Sequence, residues 1–140
     1  YNDLFAAVQL YMDNKPDEAS DKLVNVKEEN LTSDEAKKLY EKIKTETFGN
    51  ATVKYFEAGR DAYNGEGDYT GKQNYDTAIE LLNKALEYDE TNTDAMYFLG
   101  RCYQKKGEND KAKEYYNQII NDYPDSQRVP EAKAKLSQLG

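Results

Sequence analysis

TDAMYFLGRCYQKKGENDKAKEYYNQIINDYPDS, residues 93–126, decides the fold of this 140-residue chain. Met96, Leu99, Gly100 and Tyr103 stand at i, i+3, i+4 and i+7, and beyond Lys106-Gly107 a second apolar set follows at Ala112, Tyr116, Ile119 and Tyr123. Each set makes one apolar stripe along a helix. A helix with one such stripe must bury it against a neighbour, so the segment reads as two helices packed on each other across a short turn. Lys106-Gly107 supplies the turn, and Pro124 ends the second helix because it has no N–H to continue the ladder.

These positions resemble a tetratricopeptide repeat. Met96 stands where the family usually has tryptophan, and Leu99-Gly100, Tyr103, Ala112, Tyr116 and Pro124 match in turn. Ile119 fills a slot usually held by alanine, and Tyr123 precedes the proline where aspartate is common. The resemblance implies an all-α fold, a short right-handed α-solenoid of antiparallel helix hairpins with about seven helices in this chain. It also implies a non-enzymatic scaffold for protein–protein binding. The YPDS at residues 123–126, followed by a proline-bearing helix, looks most like repeats of bacterial cell-envelope proteins, such as the Tol-Pal accessory protein and the lipoprotein of the outer-membrane barrel-assembly machine.

A step of 34 residues back from the quoted stretch predicts a helix over 76–88, with Ala78, Leu81, Leu82, Ala85 and Leu86 on one face. Its partner lies upstream in ATVKYFEAGRDAYN, with Val53, Phe56, Ala58 or Gly59, and Ala62-Tyr63 as the packing set and Gly59 as the counterpart of Gly100. The two form a repeat over residues 51–92, interrupted by a glycine-rich inserted loop, 64–75, about seven residues longer than the family's turn. Residues 1–30 read as a degenerate repeat in which Ala19, Leu23 and Val26 match Ala112, Tyr116 and Ile119. Residues 31–50 add an extra helix, capped by Ser33, with Ala36, Leu39, Ile43 and Thr47 on one face. Two readings stay open at Gly49-Asn50. The extra segment adds about 18 residues, close to five helical turns, so a continuous helix would stay in phase. Glycine in a helix interior costs about 1 kcal/mol against alanine, which tips the balance slightly towards a break. Residues 127–140 make a capping helix, and the whole of 1–140 reads as one domain.

Acidic residues number 27 against 19 basic ones, for a net charge of −8, which disfavours nucleic-acid phosphate and anionic lipid as partners. Histidine is absent and Cys102 is the only cysteine, so His general bases, Cys/His zinc sites and intrachain disulfides are excluded. No paired catalytic carboxylates or phosphate-binding loop appear, and the chain reads as no enzyme and as needing no cofactor or metal. Glu66, Asp68, Asn74 and Asp76 in the stretch from Asn64 to Asp76 lack calcium-loop spacing. No stretch approaches the ~18 apolar residues of a membrane span, so direct membrane insertion by this chain is not expected. The start lacks Met and lies mid-pattern, which leads to an expectation of a fragment that leans extracytoplasmic and is membrane-anchored through a segment absent from this chain.

By the resemblance, partners bind the exposed side of each repeat's first helix. There the sequence offers Asp94, Tyr97, Arg101, Gln104 and Lys105 in the clear repeat, Phe56, Arg60, Tyr63 and Asn64 in the middle one, and Leu4, Val8, Tyr11 and Met12 in the first. Arg60 and Arg101 fall at equivalent positions, and with Phe56, Tyr63 and Tyr97 they form a candidate strip for a carboxylate on a peptide or protein partner. The competing reading pairs both arginines with Asp61 or Asp94, leaving them as a solvated surface. The Lys/Asn set that clamps chaperone C-termini in some relatives finds Leu4, Val8, Glu57, Asp94 and Phe98 here, and none matches. The apolar N-terminal helix, with Leu4, Phe5, Val8 and Tyr11, is an alternative surface for self-assembly into an oligomer.

Overall fold

The computed structural model describes residues 1–139, which form seven α-helices and two 3-10 turns, with no strand among the described residues. Their contacts cluster into two compact units, one over residues 1–53 and one from residue 54 onward. Among the described residues no helix is long and apolar enough to cross a membrane.

In the first unit α1 (Asn2–Met12) packs on α2 (Pro16–Leu23), burying Leu4, Ala7, Ala19 and Leu23. The hairpin turn places Asn14 at φ 60°, and the Lys15 N–H returns to the Leu10 carbonyl at 2.9 Å. The same closure recurs in the clear repeat, where Gly107 sits at φ 79° and the Glu108 N–H returns to the Tyr103 carbonyl at 2.9 Å. In both, one left-handed residue turns the chain while the helix's last carbonyls stay hydrogen-bonded. The α1–α2 hairpin and the hairpin of the clear repeat thus close with the same turn geometry. α2 is shorter than its apolar line predicts, ending at Leu23, with Val26 outside it and half-buried.

α3 (Asp34–Asn64) runs unbroken through Gly49, against the break that glycine's propensity favours. Phe48, Ala51, Thr47 and Thr52 are all buried, and the two threonines satisfy their hydroxyls locally, donating to the carbonyls of Ile43 and Phe48 at 2.7 and 2.8 Å. Burial on both sides of Gly49 therefore overrides one unfavourable residue. The buried face of this segment is Ala36, Tyr40, Ile43 and Thr47; Leu39 is exposed, as is Val53, contrary to their expected packing. Ser33 caps α3, accepting from the Ala36 N–H at 3.1 Å.

In the second unit the C-terminal part of α3 meets α4 (Tyr75–Tyr88), followed by α5 (Thr93–Lys105), α6 (Asn109–Asp122) and α7 (Val129–Leu139). Consecutive helices from α4 to α7 pack pairwise. Asn74 and Asn92 cap α4 and α5 through the N–H groups of Thr77 and Ala95. Gly59 and Gly100 hold equivalent places: a β-carbon at Gly59 would lie 2.7 Å from Leu82 Cγ, and one at Gly100 would lie 2.5 Å from Tyr116 Cε1. In each hairpin only glycine lets the facing helix approach this closely. The chain between α3 and α4 is compacted by a 3-10 turn at Gly67–Tyr69, and the Asn74 N–H donates to the Ala62 carbonyl at 2.8 Å.

Candidate functional site

The second unit carries a continuous aromatic cluster on the side of α3, α5 and α7. Phe98 is its centre, with Tyr97, Phe56 and Tyr63 meeting its ring edge-on at centroid distances of 5.7 Å each. Such edge-to-face geometry places the positive ring edge of one residue on the negative face of another. Two guanidinium groups lie over the cluster: Arg101 covers Tyr63 at 4.9 Å, and Arg128 covers Tyr97 at 4.8 Å. Arg60 lies over Phe56 at 5.7 Å.

The acids divide these arginines. Arg128 donates to Asp94 at 2.7 Å and to Glu131 at 3.0 Å, so its charge is met twice. Asp94 is thereby engaged by Arg128, not by Arg101. Among the described residues, neither Arg101 nor Arg60 has a carboxylate within ion-pairing distance. Arg101 opens instead onto a hollow of about 400 Å³ lined by Tyr63, Gln104, Lys105, Lys135 and Gln138. Burial holds the Lys135 ammonium below its ordinary pKa, with Arg101 and Lys105 acting in the same direction and Glu131 opposing them. A second hollow, about 540 Å³, lies at the chain turns and has Asp94, Asp122 and Asp125 among its walls. Its hydroxyls Thr93 and Ser126 already bond each other at 2.7 Å, and it gathers no cations.

The structure thus brings Arg101, Tyr63, Gln104 and Lys105 to one hollow and leaves Phe56 and Arg60 beside it on the same aromatic cluster. Tyr97 and Tyr63, expected on an exposed strip, are only 4 % exposed each. Their rings are consumed in packing under the arginines, so they act as walls rather than as free platforms. Leu4, placed on the same kind of face in the first repeat, is buried in the core of its own unit, because it lies on the stripe that meets α2. Phe98, Arg128, Lys135 and Gln138 were not singled out as binding positions. The signal for Arg128 was present, since it stands one 34-residue step after Asp94, but residues 127–140 read as a polar cap. Burial pushes the Cys102 thiol up to about 12 and its side chain is fully enclosed, which makes it an inert core residue. Among the described residues no three His, Cys, Asp or Glu side chains converge as metal ligands.

Residues 69–136 match the tetratricopeptide repeat family. Over 47 residues, 34 % of this chain, the sequence is 43 % identical to the general transcriptional corepressor ssn6 of Schizosaccharomyces pombe. The chain spans only 4 % of that protein's length. No solved structure matches significantly. Tetratricopeptide repeats generally mediate protein–protein interaction and are typically non-enzymatic, and the matched residues 69–136 include α4, α5, α6 and most of α7.

Proposed function

We propose that this chain is a protein-interaction module that docks an acidic, carboxylate-bearing peptide segment along the face formed by α3, α5 and α7. The observation that supports this reading most directly is the contrast between two neighbouring arginines: Arg128 is paired with Asp94 and Glu131, whereas Arg101 is held on Tyr63 with no acid of its own. A guanidinium fixed in position loses less freedom on binding and presents a fork that matches a carboxylate. Gln104, held by the Tyr116 hydroxyl at 3.0 Å, and Lys105 add donors at the same place, while Arg60 and Phe56 extend the surface along α3. The chain's net charge of −8 repels acidic segments at long range, so an acidic ligand that binds does so through this local patch.

Fluorescence anisotropy with a labelled glutamate-rich peptide tests the reading. Arg101→Gln is expected to weaken binding by roughly 10- to 100-fold, the loss of a charge-assisted hydrogen-bonded contact. Equal affinity for a lysine-rich peptide, or no change in Arg101→Gln combined with Arg60→Gln, removes it. The fungal relative is a transcriptional corepressor, but the shared segment is too small a part of it to bring that role here. The envelope setting has only the resemblance at residues 123–126 behind it, and the docking reading does not depend on location.

A second reading, self-association, is favoured by one observation in the first unit. Tyr1, Phe5 and Met12 are 52, 65 and 74 % exposed and share the outward face of α1 with half-buried Val8 and the uncharged Asn2 and Gln9. On a chain this acidic, an exposed apolar stripe with a single carboxylate, Asp13, at its margin is where a second copy meets little repulsion. Light scattering checks it: a mass that rises with concentration and returns to monomer in Phe5→Glu supports the dimer, and a monomer at every concentration eliminates it.

A further inference from the structure

Three cations from two helices, Arg101 and Lys105 of α5 and Lys135 of α7, line the same hollow with Tyr63, Gln104 and Gln138. In the same unit Lys106 pairs with Asp76, Lys111 with Glu108, and Arg128, which neighbours Arg101 over the aromatic cluster, with Asp94 and Glu131. Acidic residues outnumber basic ones 27 to 19, yet no described carboxylate lies within ion-pairing distance of any of these three. Like charges gathered in one hollow repel one another, Glu131 offsets this only in part at Lys135, and a bound anion of sufficient charge removes the rest.

Building on the reading of this face as a docking surface for an anionic peptide, we propose that the Arg101–Lys105–Lys135 hollow takes a phosphoryl group carried by the partner peptide. A carboxylate supplies one negative charge to three cations and leaves two of them repelling. A phosphoryl group supplies about −1.5 to −2 near neutral pH, with three acceptor oxygens pointing in different directions. The guanidinium fork of Arg101, held by its stacking on Tyr63 at 4.9 Å, suits two of those oxygens, and the two ammonium groups serve as mobile point charges for the third. The Tyr116 hydroxyl occupies the Gln104 Oε1 at 3.0 Å, which leaves the amide NH₂ of Gln104 as the donor available to the hollow. Burial and the adjacent Arg101 and Lys105 disfavour the Lys135 proton while Glu131 favours it, so an anion seated in the hollow beside these cations raises the Lys135 pKa.

The test is an NMR titration of the whole chain, reading the Arg101 and Lys135 side-chain signals. Four probes are added at matched ionic strength: inorganic phosphate, a short capped phosphoserine peptide, the same peptide with glutamate in its place, and the same peptide with unmodified serine. The phosphoserine peptide is expected to bind about tenfold more tightly than the glutamate peptide, and Lys135→Gln to remove about that factor while leaving the glutamate peptide nearly unaffected. Equal binding of the glutamate and phosphoserine peptides overturns the inference and leaves the acidic-peptide reading standing. Inorganic phosphate binding as tightly as the phosphopeptide overturns the peptide-borne source, and no response to any probe overturns both readings of the hollow.

Discussion

Tyr116→Ala is expected to destabilise the second unit by about 4 kcal/mol, the usual range for truncating a fully buried aromatic side chain. The ring is wholly enclosed, tilts against Tyr97 at 5.9 Å, fills the space above Gly100, and sends its hydroxyl to Gln104. A domain of this size has on the order of 5–15 kcal/mol in total, so the loss consumes much of it. The glycine beneath the ring gives a sharper check than the single mutant. A β-carbon at Gly100 would stand 2.5, 2.8 and 3.0 Å from three carbons of the Tyr116 ring. Gly100→Ala alone is therefore expected to cost roughly 1–3 kcal/mol through overpacking, despite the ~1 kcal/mol that alanine gains over glycine in a helix. In the Tyr116→Ala background the obstruction is gone and the same substitution is expected to stabilise. Urea denaturation of the four variants measures the coupling, and additivity within about 0.5 kcal/mol would show that the ring and the glycine do not share the contact described.

That glycine–ring contact also explains how far the fold is legible in the sequence. Gly100 and Tyr116 lie within the stretch that matches the tetratricopeptide repeat family, and a 34-residue step from Tyr116 lands on Leu82, the side chain that faces Gly59. Packing between sequence neighbours writes itself into the sequence as a period, which is why α4, α5 and α6 were readable from spacing. The extra helix has no counterpart one 34-residue step away. There propensity at Gly49 leaves a break and a continuous helix both open, while Leu39 is expected on the packed face and is exposed. The candidate site was legible in part. Arg101, Tyr63, Gln104 and Lys105 lie on first helices and follow the pattern, whereas Lys135 comes from α7, where composition reads as a solvated cap. What no spacing reveals is which arginine an acid has already taken. Asp94 is nearer in sequence to Arg101 but binds Arg128, a choice fixed by how α7 returns to the N-terminal turn of α5.

Gly49→Pro is expected to cost about 3 kcal/mol or more, whereas Gly49→Ala is expected to add up to about 1 kcal/mol of stability. Both follow from α3 being one helix. Position 49 is exposed and nothing lies within 4 Å of where a β-carbon would stand, so alanine meets no obstruction and restricts only the unfolded chain. Proline removes the N–H that continues the ladder and drives its ring into the preceding turn, between buried Phe48 and buried Ala51. Those two residues and the inward threonines Thr47 and Thr52 are anchored in the first unit, so a kink there withdraws several buried groups together. If instead the chain broke at Gly49, as local propensity favours, proline would be tolerated and alanine would bring almost nothing. Amide hydrogen exchange along residues 43–53 separates the cases in the wild-type chain: continuous protection through Gly49 and Asn50 is expected of one helix, and rapid exchange at those two amides would place a break there.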